Sequence, residues 1–115
     1  MGNPVVHFEV HSRHSAGLRT FYSDLFGWKL GVVPDGSYAL VDTDAGGAGI
    51  RGGIAQPAHN VTGVMFYIQV PDIDAHLARI TDAGGSVLME RTESGPITTA
   101  IFADPDGNAV GLVEG

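Results

Sequence analysis

Apolar and polar positions alternate along the first segment of the chain: Val6, Phe8 and Val10 interleave with His7, Glu9 and His11. A period of two predicts a strand over 5–10, with His11 extending its polar set. The period then changes. Leu18, Phe21, Tyr22 and Leu25 recur three and four apart, which predicts a helix with Ser15 as its N-cap and Gly27 as its stop. Residues 28–33 run to a turn at Pro34-Asp35-Gly36, and a strand is expected over 37–43. A glycine-rich stretch over 45–53 leads into a short strand around Ile54. The second half repeats this order. A strand is expected over 61–70, then a helix capped by Asp72 that carries Ile73, Leu77 and Ile80 and closes at Gly84-Gly85. Strands follow over 86–90 and 97–103, then the turn Asp104-Pro105-Asp106-Gly107-Asn108, then a last strand over 109–113.

The two helix stops, Gly27 and Gly85, set a repeat offset of 58 residues. Strand, helix and three strands, written twice, predict an α+β fold of two βαβββ modules. The modules are expected at about 4–56 and 60–114, linked around Ala55-Gln56-Pro57-Ala58, within one domain over 1–115. At this length roughly two-thirds of the unfolded surface can be buried, so no staple is needed for folding. Apolar residues make up 43% and charged residues 17%, an ordinary globular balance. Cysteine is absent, which excludes disulfides, thiolate metal sites and cysteine nucleophiles. The net charge is −7 and the six basic residues are scattered from Arg13 to Arg91, so nucleic acid is not an expected partner. No apolar run approaches the roughly 20 residues that span a bilayer, and no signal-like start is visible. The expectation is a soluble cytoplasmic protein without a membrane partner.

Four segments, in order, carry a family resemblance: Val6-His7-Phe8-Glu9-Val10, Phe21-Tyr22-Ser23-Asp24-Leu25-Phe26-Gly27-Trp28, Ile80-Thr81-Asp82-Ala83-Gly84-Gly85 and Asp104-Pro105-Asp106-Gly107-Asn108. Over nearly its whole length the chain resembles the vicinal oxygen chelate superfamily, the glyoxalase/bleomycin resistance/extradiol dioxygenase group. Within it, the chain is similar to the short glyoxalase-like proteins. The resemblance implies a curved, cup-shaped mixed sheet built from the two modules, with helices on its outer face. It also implies a homodimer and a small molecule held in the cup.

Enzymes of this superfamily usually hold a divalent metal with four side chains from the first and last strands of each module. Carried onto this chain, the four positions fall on His7, Gly53, Met65 and Gly111. One of these is a good donor and two have no side chain, so no chelated metal is expected. The two glycines are expected to leave room where donors and a metal would otherwise stand. Glu114 lies three residues past Gly111, and strand alternation points it to the opposite face. A metal site, if present, would use His7 with Glu114 or with Glu9.

If His7 faces the cup, Glu9 and His11 share that face, and the repeat offset adds Met65, Tyr67 and Gln69. Arg51 in the glycine-rich segment is a candidate grip for an anionic group. The expected ligand-binding set is therefore His7, Glu9, His11, Arg51, Gly53, Met65, Tyr67, Gln69 and Gly111. Trp28 and Tyr22 are expected in the core, and His14 and His76 in solvent. The function read from these residues is binding of a small organic molecule without a chelated metal. One alternative is a metal-dependent lyase, isomerase or dioxygenase. A second is a metal-free acid/base enzyme with His7 and Glu9 as its catalytic pair, for which the sequence names no oxyanion donor. A third is a partner-binding scaffold whose polar strand face is merely solvated.

Overall fold

The computed structural model describes residues 2–43, 46–57 and 63–115. The chain divides into two compact units, one made of Met1–Val6 with Met65–Gly115 and the other of His7–Val64. Ten elements follow the expected order: β1 (Val5–His11), α1 (Ser15–Phe26), β2 (Lys29–Val32), β3 (Tyr38–Asp42), β4 (Arg51–Ala55), β5 (Gly63–Val70), α2 (Ile73–Asp82), β6 (Ser86–Ser94), β7 (Ile97–Ala103) and β8 (Ala109–Glu114). The expected start of β5 at 61 and part of the linker, at 58, lie outside the described residues, as does the beginning of the glycine-rich stretch at 45.

Each module builds the same four-stranded sheet. In the first the order is β2-β3-β4-β1, and in the second it is β6-β7-β8-β5. The first strand of each module pairs in parallel with the last, β1 with β4 and β5 with β8. The remaining pairs, β2–β3, β3–β4, β6–β7 and β7–β8, are antiparallel. The predicted α+β class and the βαβββ repeat are therefore what the chain forms.

Side-chain alternation sends one face of each sheet against its helix. In the first module Val10, Ala39, Val41 and Ile54 are buried, with Phe8, Leu18, Tyr22, Trp28 and Leu30 packed on them. Trp28 stacks on Tyr22 with ring centroids 4.8 Å apart and tilts against Phe8 at 5.6 Å, so both expected aromatics serve packing. In the second module Val70, Ile73, Leu77, Ala100, Phe102, Val110 and Leu112 form the core, joined by Ile68, Ile80 and Val87.

The helix ends differ in detail from the expectation. Ser15 is the first residue of α1 and is buried, its hydroxyl accepting from Gln56 Nε2; His14 takes the N-cap position without a side-chain cap. The chain turns one residue earlier because the Ser12 hydroxyl already accepts from the His14 amide at 2.9 Å. Gly27 closes α1 in the left-handed region at φ 69°, where glycine carries no Cβ penalty. Asp72 caps α2 as expected, accepting from the Ala75 amide at 3.0 Å. α2 ends at Asp82 with Ala83 as its C-cap, one residue ahead of the glycine pair. His14 is exposed, but His76 is half-buried. The His76 ring is hydrogen-bonded to the Asp72 carbonyl and to the Asn3 amide, which draws it onto the protein surface.

Truncating a fully buried side chain in either module removes transfer energy and leaves a cavity. Ile54→Ala is expected to cost about 2–5 kcal/mol in urea denaturation. Ile97→Ala, at a position 55% exposed, should stay within about 0.5 kcal/mol of the parent.

Candidate functional site

β1 places His7, Glu9 and His11 on the sheet face opposite the helix, because the intervening Phe8 and Val10 belong to the α1-facing core. Their neighbours on that face follow from the register. His7 lies beside Arg51, Glu9 beside Gly53 and His11 beside Ala55. One strand further, Arg51 faces Asp42, Gly53 faces Leu40 and Ala55 faces Tyr38.

A hydrogen-bonded network joins these side chains. The Tyr38 hydroxyl donates to Glu9 Oε2 at 2.8 Å. His11 Nε2 lies 2.7 Å from Glu9 Oε1, and His7 Nε2 lies 2.9 Å from the Tyr38 hydroxyl. His7 Nε2 also stands 3.7 Å from Glu9 Oε2. The Glu9 and His11 side chains are only 13% and 5% exposed, and His7 is the more open at 27%. Withdrawing a carboxylate from water is costly unless donors replace the lost solvent, and Tyr38 and His11 supply one to each oxygen.

Tyr38 is the member that the sequence did not single out. Its ring crosses from β3 over Gly53, where a Cβ would collide with the phenol. Gly111 in the second module stands likewise under the ring of Tyr67, its pairing partner on β5. The room expected at the two glycines is thus filled, in each module, by a tyrosine. The contact only becomes visible once the β3–β4 register is known, and that register spans a glycine-rich segment with no periodicity to fix it.

The other expected residues separate by module. Arg51 is exposed, opposite Asp42. Met65 and Tyr67 are buried on β5, and Gln69 is half-buried with its amide close to Gly115. Glu114 lies on the α2 side of β8. Its Oε2 accepts from the Ile73 amide at 3.0 Å, and its Oε1 accepts from Arg91 Nη2 at 2.9 Å. It therefore serves as a second cap of α2, not as a partner of His7.

A divalent ion of the kind this fold commonly holds needs several oxygen or nitrogen donors converging on one point. Gly53 and Gly111 offer no side chain and lie under phenol rings, and Met65 is a soft thioether. On β1, the Tyr38 hydroxyl stands between His7 and Glu9, and His11 is spent on Glu9. Among the described residues no group of three or more His, Cys, Asp or Glu side chains is arranged to hold a metal ion. The residues present do not fit that group.

Two βαβββ modules, each burying one sheet face under its own helix, define the class to which the fold belongs. The family model of the Glyoxalase/Bleomycin resistance protein/Dioxygenase superfamily matches residues 5–112, and the chain belongs to that superfamily. It is 32% identical to the anthracycline biosynthesis protein DauV of Streptomyces sp. (strain C5), over 94% of this chain and 47% of that protein. The chain thus spans about half the length of the curated relatives that it first matches. It is also 32% identical to a glyoxylase-like domain-containing protein of Didymella fabae, over 76% of this chain and 75% of that one. Among solved structures it is similar in fold to a glyoxalase/bleomycin resistance protein/dioxygenase superfamily member from Vibrio splendidus 12B01, at TM-score 0.66 and 18% identity, covering 98% of both chains.

The Arg91 hydrogen bond first, and the Ile73 amide second, hold the Glu114 carboxyl below its ordinary value of 4.5. A depressed carboxyl stabilises the fold above its unfolded value, and the contribution is lost as pH falls through the folded one. The stability gap between the parent and Glu114→Gln is therefore expected to be full at neutral pH. It should shrink on acidification below about pH 4.5, in urea titrations at stepped pH.

Proposed function

We propose that this protein binds a small organic molecule on the polar sheet face of its first module, through His7, Glu9, His11 and Tyr38, without a chelated metal. The observation that carries this reading is the filling of Gly53 by Tyr38, which replaces a family donor position with a hydroxyl bonded to Glu9. A partly enclosed face with a few convergent polar tips has the character of a small-molecule site. Arg51, which lies beside His7 on the same sheet face, remains a proposed contributor. The superfamily's breadth supports the ligand class: DauV is named for anthracycline biosynthesis, and a Streptomyces coelicolor methylmalonyl-CoA epimerase variant was solved with 2-nitronate-propionyl-CoA.

A second reading, a metal-free acid/base enzyme, is favoured by one observation. His7 is linked to a carboxylate through a phenol, an arrangement that supports an imidazole as it gains a proton. Under this reading His7 is the proton-transfer group, and Tyr38 and Glu9 stabilise its charged form. A cytoplasmic homodimer completes the proposal. The exposed Phe21, Leu25 and Phe26 of α1 offer apolar surface for the second copy.

Thermal unfolding of chelator-treated protein tests the reading against Mg²⁺, Mn²⁺, Fe²⁺, Co²⁺, Ni²⁺ and Zn²⁺ and against a panel of small organic molecules. A ligand at a hundred times its Kd stabilises by about 2.7 kcal/mol, a shift of several degrees for a domain of this size. The expected result is a flat response to the ions and an upward shift with at least one organic molecule, diminished in His7→Ala. A shift with an ion that disappears in His7→Ala would refute the metal-free site. With a bound molecule in hand, loss of all turnover in His7→Ala marks the enzyme, whereas weakened affinity alone marks the binder.

A further inference from the structure

The strand registers of the first module place four residues in one cross-strand row. Lys29 on β2 pairs with Asp42 on β3, Asp42 with Arg51 on β4, and Arg51 with His7 on β1. Alternation puts all four on the sheet face that carries Glu9, because Leu30, Val41 and Phe8 beside them pack toward α1. Two of the six basic residues thus share one row in a protein of net charge −7. Both are exposed, and neither makes a hydrogen bond or ion pair among the described residues. The Asp42 carboxylate between them can offset only one of the two charges, and Glu9 in the next row has its own donors in Tyr38 and His11. One cation is left over on this edge of the face.

The neighbouring row supplies apolar surface. Gly31, Leu40, Gly53 and Glu9 follow one another across the same four strands. Glycine stands on either side of Leu40, whose side chain is left 57% exposed. The Tyr38 ring fills the space over Gly53, and over Gly31 a Cβ would meet only Leu40, at 4.0 Å. A leucine beside a phenol ring therefore lies one row away from the uncommitted cations.

We propose that Arg51, assisted by Lys29, holds an oxyanion, and that the molecule bound on this face is an organic acid, a carboxylate or a phosphate, whose apolar body lies on Leu40. A guanidinium offers a planar fork of N–H donors that matches two oxygens of either group at once, whereas an ammonium acts as a point charge. Arg51 accordingly sets the orientation and Lys29 adds attraction. The backbone entering β4 is held beside the fork, since the Thr43 hydroxyl donates to the Ile50 carbonyl at 2.7 Å. An oxyanion at Arg51 lies next to His7, which puts the remainder of the molecule within reach of the Glu9 network. This charge class rests on the binding reading above, which left the charge of the molecule open.

Three naphthalene probes that differ in one substituent provide the test: 1-naphthoate, 1-naphthyl phosphate and 1-naphthamide, titrated calorimetrically into the intact chain at low salt. The parent is expected to bind at least one anion about five-fold more tightly than the amide, the scale of one charge-assisted hydrogen bond. The tighter of the two anions tells carboxylate from phosphate. Arg51→Gln should bring that anion down to the affinity of the amide. Lys29→Gln should weaken it about two-fold, as expected of a screened surface charge. Neither substitution should change the amide. Arg79→Gln, an equal charge change at an exposed position of α2, should change nothing. Equal affinity for all three probes in the parent overturns the oxyanion grip and leaves the small-molecule reading intact. An anion preference that survives Arg51→Gln, or that falls equally in Arg79→Gln, overturns it as well. So does a parent that binds none of the probes, in which case the small-molecule reading is judged separately by the thermal panel, whose outcome does not depend on ligand charge.

Discussion

A carboxylate drawn away from water on a strand face governs the first module. Glu9 sits among residues that must replace its hydration, and each oxygen receives a donor, one from Tyr38 on β3 and one from His11 on β1 itself. Those donors have structural prerequisites. His11 reaches Glu9 because side chains two apart on a strand share a face. Tyr38 reaches it because β4 contributes glycine at the intervening position and β3 pairs with β4 in the register that sets Leu40 opposite Gly53. The helix-facing side fixes the same register from below, since Ala39, Val41 and Ile54 are buried there. Shifting β3 by one residue would expose that core and remove the hydroxyl from the carboxylate together.

Much of the fold was legible because its signals are local. The switch from period two to period three-and-four at residue 15, the glycine stop at 27 and the Asp72 cap each act within a few residues, and each lies at or within one residue of its expected place. The repeat offset identified Gly53 and Gly111 as equivalent, and in the structure both do lie under aromatic rings. The content of the site was less legible. Tyr38 follows a turn in a strand that alternates normally, and nothing nearby marks it as polar machinery. Its role depends on pairing across residues 43–50, a segment whose glycines carry no pattern. The same gap explains the expected vacancy at Gly53: a missing side chain was visible, but not the distant ring that occupies its space.

The two glycines also separate ancestry from chemistry. They are related by the repeat, yet their covering rings are not: Tyr38 comes from the third strand of its module and Tyr67 from the first strand of its own. A duplicated βαβββ unit keeps its packing rules in both copies, because each must bury one sheet face under one helix. The opposite face is free to diverge, and superfamily membership therefore fixes the scaffold without fixing the donor set.

The unequal treatment of the two helix beginnings bears on motion. α2 has its first turn held by two carboxylates, Asp72 on the Ala75 amide and Glu114 on the Ile73 amide. α1 begins behind His14 with no side-chain cap and carries Gly17 in its first turn. Unprotected amides and a flexible residue lower the cost of local opening. The start of α1, four residues beyond His11, leans instead on the buried Ser15 and its bond from Gln56. The module that carries the polar network is thus also the one whose helix starts without a side-chain cap.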